Sequence, residues 1–229
     1  MNLQKLKISE TSFLGDKNKK MNLNKDLEKA LSELRKGKER KFDETLDLII
    51  NLQKFDLKKN SINLFIPVPY KVKNKKITAF LESKNNNIKT ITKDEFKKYS
   101  DKKQIKKLVK DFDFFIAEAS LMPKVATIFG RILGPAGKMP SPQLGILMNV
   151  NDKTINELIE KINKSVKIRT KEASINLAIG KKSMKDNEII ENILAVYNAV
   201  IRELPKKKDN IKNLEIKFTM TKPQKITII

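Results

Sequence analysis

The chain contains no cysteine, no histidine and no tryptophan among its 229 residues. The absence of cysteine and histidine excludes disulfides, thiol chemistry, histidine-based acid–base catalysis and metal sites built from Cys or His ligands. We therefore expect no catalytic residue, no metal and no cofactor. The lack of cysteine also fits a cytoplasmic protein, where thiols are kept reduced.

Long apolar runs are also missing. No stretch approaches the ~18–20 consecutive apolar residues that a membrane-spanning helix needs. Residues 1–20 lack the continuous apolar segment of a secretory signal, so we interpret them as a polar, partly disordered N-terminal extension. These absences predict a protein that does not enter a membrane.

Glycine and proline are scarce, with 7 and 8 copies, and they concentrate in one segment. Gly130–Gly145, GRILGPAGKMPSPQLG, holds four of the glycines and three of the prolines. Because glycine permits positive φ and proline fixes φ and lacks an N–H, we predict a structured loop rather than a regular helix or strand. The residues alone leave two interpretations open, a simple connector or a rigid loop that fixes how one half of the protein meets the other half or a ligand.

Positive charge dominates what is present. The formal net charge is +22, which predicts a polyanionic partner such as nucleic acid or an anionic membrane surface. The abundance of Lys, Asn and Ile leaves a general compositional bias open as another origin of the charge. Basic residues are spread along the whole chain, so charge alone does not locate a site.

Apolar periodicity predicts strands mixed with helices, which is typical of an α/β fold. Helical stripes lie in 24–36, 92–110, 152–162 and 186–204, and alternating or apolar strand patterns lie between them. The predicted N-caps are Asn24, Thr92 or Asp94, Ser120, and Asn151 or Asp152. The short Asn-rich segment after Leu81 predicts a shortened or missing helix at that point.

The loop motif resembles the signature of the L-one family of ribosomal proteins in its archaeal form. The matching residues are Gly134, Pro135, Gly137, Lys138, Met139 and Pro140, and Ala136 replaces a basic residue. Further similarity lies in Arg40–Thr45, a basic-Phe-Asp-Glu-Thr segment, in Phe114–Ala117 and in Leu121–Pro123. Together the matches cover most of the chain from about Asn22 onward.

The resemblance implies a two-domain layout. Residues 21–70 and 153–229 would form an α+β RNA-binding domain. Residues 71–152 would form an inserted, three-layer, Rossmann-like α/β domain with a shortened first helix. Two connections, near 69–73 and 149–153, would act as a hinge.

The resemblance also implies a function. Family members are structural constituents of the large ribosomal subunit and bind large-subunit ribosomal RNA at the mobile stalk, near the exit site for tRNA. We thus expect a cytoplasmic, ribosome-bound protein that is monomeric off the ribosome. Members of the family can also bind their own mRNA and repress translation, so that mRNA and exit-site tRNA are further candidate partners.

RNA recognition commonly combines phosphate contacts from Lys or Arg with aromatic or apolar contacts to bases and sugars. Three segments supply such groups: Lys41, Phe42 and Thr45; Lys167, Arg169 and Lys171; and Thr219 with Met220. From the residues alone, Phe42 more often packs beneath the preceding helix, Met220 fits a core position, and the strand cations fit a solvated edge. The resemblance reverses the interpretation of Phe42, because this segment faces RNA in the family.

The chain departs from the family after Met220, where Thr221-Lys222-Pro223 replaces a Gly-Pro pair. A backbone close to RNA would lose its glycine there, whereas Lys222 would add a phosphate contact. The lysines of the predicted helix at 92–110 leave two interpretations open, a solvated face or a second RNA-facing patch.

Two other functions compete with RNA binding. A nucleotide-binding enzyme using the middle α/β domain is disfavoured because the chain has no G-x-G-x-x-G and no phosphate-loop pattern. A membrane-surface protein is disfavoured because no clean basic amphipathic helix is present.

Overall fold

The computed structural model describes residues 23–57, 60, 62–85, 87–148, 150–170 and 172–226. The chain divides into two compact units. Unit 1 consists of Met1–Val72 and Val166–Ile229, and unit 2 of Lys73–Ser165. The middle of the chain is thus inserted into a unit built from both ends. The expected N-terminal extension, residues 1–20, lies outside the described residues.

Helices and strands are mixed along the chain. In order they are α1 (23–35), β1 (Thr45–Leu52), β2 (Asn63–Pro67), β3 (Ile77–Phe80), β4 (Lys89–Ile91), α2 (Lys102–Asp111), β5 (Phe114–Glu118), α3 (Met122–Ala136), β6 (Ile146–Leu147), α4 (Asp152–Asn163), β7 (Ser165–Arg169), β8 (Ser174–Lys181), α5 (Asp186–Glu203), β9 (Ile211–Phe218) and β10 (Gln224–Ile226). Short 3-10 helices cover Lys93–Ser100, Ala119–Leu121 and Lys207–Asn210. The predicted α/β class is confirmed.

Unit 1 is built on an antiparallel sheet with the strand order β10-β9-β1-β8. Every second residue of β1 is buried, which is the pattern of a sheet with one covered face. Leucines of α1 and the apolar stripe of α5 belong to the same core cluster as β1, β8 and β9. A second, two-stranded sheet pairs β2 with β7, and its Ile66 and Ile168 join that cluster.

Unit 2 is built on a parallel sheet with the strand order β4-β3-β5-β6. The first four residues of β5 are all buried, as expected for a parallel strand covered on both faces. Phe80, Phe115 and Phe129 form the centre of its core. The described residues between β3 and β4 contain no helix, in agreement with the Asn-rich sequence there.

The second boundary between the units lies at Ser165/Val166 rather than at the expected 152/153, so α4 belongs to unit 2. Hydrogen bonds from Lys75 explain this grouping. Its N–H donates to Asn163 Oδ1 (3.0 Å), and its Nζ donates to the carbonyls of Ile162 and Ser165. The end of α4 is therefore fixed to the chain that leads into β3.

The prediction of a loop over the whole of Gly130–Gly145 was wrong, because α3 continues to Ala136. Pro135 lies in the last turn, so its missing N–H and the crowding by its ring affect only the end of the helix. Gly137 (φ 69°) ends the helix, and the N–H of Lys138 donates to the Leu133 carbonyl (3.0 Å). The irregular part is confined to residues 137–145.

Two predicted N-caps, Asn24 and Ser120, were wrong, whereas Thr92 is the N-cap of the 3-10 helix Lys93–Ser100. Asn24 lies inside α1, and Ser120 lies in a 3-10 turn that precedes α3. The predicted helix over 92–110 is split in two, and α2 is capped by Asp101, whose side chain accepts a hydrogen bond from the Lys103 N–H (3.0 Å). By contrast, Asn151 is the N-cap of α4, as predicted.

Candidate nucleic-acid interface

Two distant chain segments meet at one end of the unit 1 sheet. Because β1 and β9 are antiparallel and Leu46 pairs with Phe218, the residues before β1 lie beside the residues after β9. Lys41–Thr45 and Thr219–Met220 are therefore neighbours, although more than 170 positions separate Thr45 from Thr219. We refer to these two segments together as the β1–β9 surface.

Direct hydrogen bonds join the two segments. The Thr45 N–H donates to Thr219 Oγ1 (3.2 Å), and the Thr219 N–H donates to the Thr45 carbonyl (3.0 Å). The Met220 N–H donates to Glu44 Oε2 (3.2 Å). Backbone atoms take part in every one of these bonds, so they fix the positions from which Phe42 and Met220 project.

Glu44 is the buried centre of this arrangement, with 2% of its surface exposed. Besides Met220 it has a cationic partner, since Lys182 Nζ lies 3.8 Å from Glu44 Oε1. The Lys182 N–H also donates to the Glu44 carbonyl (2.8 Å). A buried carboxylate needs such partners, and removing one of them leaves an uncompensated charge.

Asp43 anchors the same segment to the turn after β8. Its carboxylate accepts hydrogen bonds from the N–H (3.1 Å) and hydroxyl (2.9 Å) of Ser183, and Lys181 Nζ lies 3.4 Å away. Partial desolvation acts to raise the pKa of Asp43, but these bonds and the Lys181 charge outweigh it and hold the pKa below its usual value. Asp43 therefore stays ionised and keeps the segment in place.

Arg35, from α1, stabilises the turn after β8 through hydrogen bonds. Its guanidinium donates to Asp186 (2.7 Å) and to the carbonyls of Lys182 (2.8 Å) and Met184 (2.7 Å). Sequence reasoning missed the roles of Arg35, Asp43 and Glu44. The only signal for them was the family-like Phe-Asp-Glu-Thr sequence, which carries the two acids.

Two large apolar side chains are exposed on the β1–β9 surface. Phe42 keeps 53% of its surface accessible and Met220 keeps 58%. Lys41 and Thr219 are exposed beside them. Neither Phe42 nor Met220 is a core residue, so the packing interpretation that the residues alone favoured for Phe42 does not describe this fold.

The turn after β9 is closed by Thr221 instead of a glycine. The Phe218 N–H donates to Thr221 Oγ1 (2.9 Å), and the Thr221 N–H donates to the Phe218 carbonyl (3.1 Å). These bonds hold Met220 at the outside of the turn, and Lys222 follows it as an exposed cation. The replacement thus preserves a tight turn without left-handed backbone.

Comparison with known proteins now identifies the family. The sequence matches the profile of the Ribosomal protein L1p/L10e family over residues 34–222, a range that includes both segments of the β1–β9 surface. The chain belongs to this family. It is 35% identical over 197 residues to the large ribosomal subunit protein uL1 of Nanoarchaeum equitans, covering 81% of this chain and 92% of the relative. The uL1 proteins of Pyrobaculum islandicum (36% over 208 residues, 86% and 90% covered) and Pyrobaculum arsenaticum (35% over 220 residues, 90% and 96% covered) are similar to it as well.

Two of the remaining predicted site residues of this L1p/L10e family member lie on a different sheet. Lys167 and Arg169 belong to β7, which pairs with β2 and not with β1 or β9. Lys167 Nζ lies 4.8 Å from the centre of the Phe65 ring, and burial, followed by the Arg169 charge, lowers the pKa of Lys167. Arg169 is exposed, and Lys171 lies outside the described residues.

The part of the chain that the structure describes contains no cluster of three or more acidic side chains that could hold a metal ion. None of its helices is long and apolar enough to cross a membrane.

Proposed function

We propose that this protein is a structural constituent of the large ribosomal subunit and that its β1–β9 surface binds large-subunit ribosomal RNA. The observation that carries the proposal is the exposure of Phe42 and Met220 on two segments that hydrogen bonds hold together. An RNA loop or bulge offers unstacked bases that an exposed aromatic ring can stack against.

The surface needs little rearrangement to bind. Its backbone is fixed by the Thr45–Thr219 and Glu44–Met220 bonds, so few degrees of freedom are lost on binding. Phe42 would stack on a base, Met220 would contact a neighbouring base or sugar, and Lys41 would bind a phosphate. The net charge of +22 adds a long-range attraction to any RNA.

Lys167, Arg169 and Lys171 form the outer part of the proposed interface. They would contact phosphates, which position a protein on RNA without reading its sequence. Because Lys167 and Arg169 lie on a second sheet of unit 1, this contribution is separate from that of the β1–β9 surface.

The names of the relatives support the ribosomal assignment, because the uL1 proteins are named as large-subunit proteins. We place the protein on the cytoplasmic ribosome, at the mobile RNA stalk near the exit site for tRNA, and as a monomer when free. Its own mRNA is a further proposed ligand, since a transcript that folds like the ribosomal element would offer the same contacts. Repression of a reporter fused to that transcript tests this part.

The competing nucleotide-binding function loses its main candidate loop. Gly130 and Gly134 lie within α3, and the turn before α3 contains no glycine to admit a phosphate. Near the carboxyl end of the parallel strands, the Glu118 side chain accepts a hydrogen bond from the Glu82 N–H (3.2 Å), which places negative charge where a nucleotide phosphate would bind.

The test is equilibrium binding of the full chain to a transcript of the large-subunit RNA stalk, with an unrelated folded RNA of equal length for comparison. Phe42→Ala should weaken binding to the stalk by about 1–3 kcal/mol if the ring stacks on a base. Tyr70→Ala is the matched control, because Tyr70 is another exposed aromatic residue of unit 1. Equal affinity of the parent and Phe42→Ala for the stalk would overturn the assignment of the surface.

A further inference from the structure

Unit 2 contains a cationic cleft that the proposed ribosomal contact does not use. It lies between the 3-10 helix Lys93–Ser100, the first turns of α2 and one face of α3, and its volume is about 550 Å³. Its lining residues are Lys93, Phe96, Lys97, Tyr99, Lys102, Ile105, Lys124, Thr127, Ile128, Arg131 and Ile132. The volume falls within the range typical of small-molecule sites, about 300–1,000 Å³.

The charged residues that line the cleft are all cationic, although Glu95 acts on Tyr99 and Glu82 on Lys124 from outside the lining. Five of its lining residues are Lys or Arg, and no Asp or Glu is among the described residues that line it. Lys124 and Arg131 are two helical turns apart on the same face of α3, while Lys93, Lys97 and Lys102 come from the facing elements. Two rows of cations therefore face each other across the opening.

Within the cleft, two like charges are neighbours. The neighbouring Lys93 side chain lowers the pKa of Lys124, with Glu82 acting in the opposite direction. Two neighbouring ammonium groups repel each other, and an anion bound between them would remove that repulsion.

The floor of the cleft is apolar and partly aromatic. Phe96 and Ile105 are 4% exposed and close its base. Tyr99 is half-buried, its ring centre lies 5.6 Å from that of Phe129, and Ile128 is exposed at the edge. The cleft thus combines cations at the opening with flat apolar surface below them.

We propose that this cleft binds an unpaired strand of RNA, with phosphates held between the two rows of cations and a base placed over Tyr99 and Ile128. Proteins that bind single strands combine a basic groove for the backbone with aromatic side chains for the bases, which are the two features found here. The recessed floor favours a narrow strand over a flat membrane surface. This site lies in a different unit from the β1–β9 surface and does not depend on it.

The absence of tryptophan allows a local reporter, since Thr127→Trp introduces the only tryptophan of the chain into the lining of the cleft, at a position that the proposed contacts do not use. The full-length variant is titrated with a single-stranded oligoribonucleotide of about ten nucleotides, a length within known site sizes. Sodium tripolyphosphate and polyglutamate are titrated in parallel as a base-free phosphate and an acidic peptide. We expect a saturable change in tryptophan emission with the RNA at concentrations at least tenfold lower than with either alternative.

Charge variants made in the reporter chain locate the contact. Lys124→Gln combined with Arg131→Gln should weaken the RNA titration about tenfold and flatten its salt slope by about 1.4, the value for two phosphate contacts to a single strand. The matched control, Lys106→Gln with Lys110→Gln, removes the same charge from exposed positions of α2 that do not line the cleft and should change the affinity by no more than about twofold. Circular dichroism checks that every variant is folded.

Three results would overturn the proposal. The first is an unchanged tryptophan emission while the oligoribonucleotide binds elsewhere on the protein. The others are an equal loss of RNA affinity in the cleft and control variants, and binding of tripolyphosphate or polyglutamate as tight as that of the RNA. Phe42→Ala should leave the emission titration within about twofold, because the site is separate from the β1–β9 surface. A tenfold loss in that variant would also contradict the proposal, without bearing on the stalk RNA test.

Discussion

The β1–β9 surface and the unit 2 cleft are both basic, but they differ in where their apolar groups lie. Phe42 and Met220 project outward, with more than half of each side chain exposed, whereas Phe96 lies at the base of the cleft and is 4% exposed. The exposed Phe42 ring can stack on an unstacked base of a folded RNA. The recessed floor of the cleft can instead accept a single RNA strand that enters the cleft. The comparison teaches that a net charge of +22 does not identify a site by itself.

The two units also differ in how they hold their surfaces. In unit 1, hydrogen bonds between residues more than 100 positions apart fix the backbone of the surface. In unit 2, the cleft is formed by side chains on three separate helical elements around an aromatic core. The following predictions test this difference, from the largest expected effect to the smallest.

Asn192→Leu should destabilise unit 1 by about 2–4 kcal/mol. Asn192 is fully buried, its Oδ1 accepts from the Tyr70 N–H (3.0 Å), and its Nδ2 donates to the carbonyls of Tyr70 (3.0 Å) and Ile179 (3.1 Å). Leucine has a similar volume but leaves the buried Ile179 carbonyl and the partly buried Tyr70 N–H and carbonyl without this partner, and an unpaired buried group costs about 1–3 kcal/mol. Urea unfolding measures the loss, with Asn187→Leu at an exposed position of α5 as the control. A loss below about 1 kcal/mol would show that these bonds are not structural.

Lys138→Met should destabilise unit 2 by about 1–3 kcal/mol. Lys138 belongs to the signature motif, and its Nζ donates to the carbonyls of Val109 (2.6 Å) and Phe112 (2.7 Å) at the end of α2. Methionine keeps the packing and removes both donors. Hydrogen exchange of the α2 amides is the readout. The control is Lys106→Met, which changes an exposed lysine of α2. Unchanged protection in Lys138→Met would contradict a structural role for this lysine.

Unit 2 should gain stability as the pH rises from about 8 to about 10. Burial, the largest cause, lowers the pKa of Lys75 to about 8, although Asp113 partly offsets it, while an unfolded lysine titrates near 10.4. Between these values the unfolded state binds more protons, so the free energy of unfolding increases with pH. The partial exposure of Lys75 limits the expected gain to about 1 kcal/mol.

Urea unfolding at several pH values tests this dependence. Lys75→Met should lose the increase that the parent shows in this window, and Lys76→Met, at the exposed neighbouring position, should retain it. The same pH dependence in all three chains would show that Lys75 is not its source.

Lys167→Gln should have the smallest effect on RNA binding. A lysine that contacts one phosphate contributes little to the choice between RNAs, so its loss should weaken binding to the stalk and to the unrelated RNA alike and flatten the salt slope by about one unit. Phe42→Ala should instead reduce the preference for the stalk. If Lys167→Gln reduced the preference for the stalk over the unrelated RNA, the sequence-specific contact would have to be assigned to β7.

Much of the fold could be predicted because its signals are local. The alternation in β1 and the continuous apolar run of β5 distinguish a sheet with one covered face from a strand buried on both. The loop assigned to Gly130–Gly145 was wrong because glycine and proline content does not show where a helix ends. Pro135 in the last turn and Gly137 just after it are compatible with a helix that stops there.

The candidate site could be predicted only in part. Phe42 and Thr219 were selected through the family resemblance, and the residues alone favoured a packed Phe42. The contacts of Arg35 and Asp43 join positions about 140–150 residues apart, so no local sequence pattern indicates them. For the cleft, Lys102 was visible as part of a lysine-rich helical face, but its convergence with Lys124 and Arg131 depends on tertiary packing.

The most direct test of the account is photocrosslinking from the β1–β9 surface. A benzophenone side chain replaces Phe42 or, in a second chain, Met220, and each protein is irradiated in complex with large-subunit ribosomal RNA. Met148, which is exposed in unit 2 and belongs to neither proposed surface, is the control position. The account predicts that the Phe42 and Met220 positions crosslink to one short RNA stretch that the control position does not reach. Crosslinks from the two positions to unrelated RNA regions, or none from either, would contradict it.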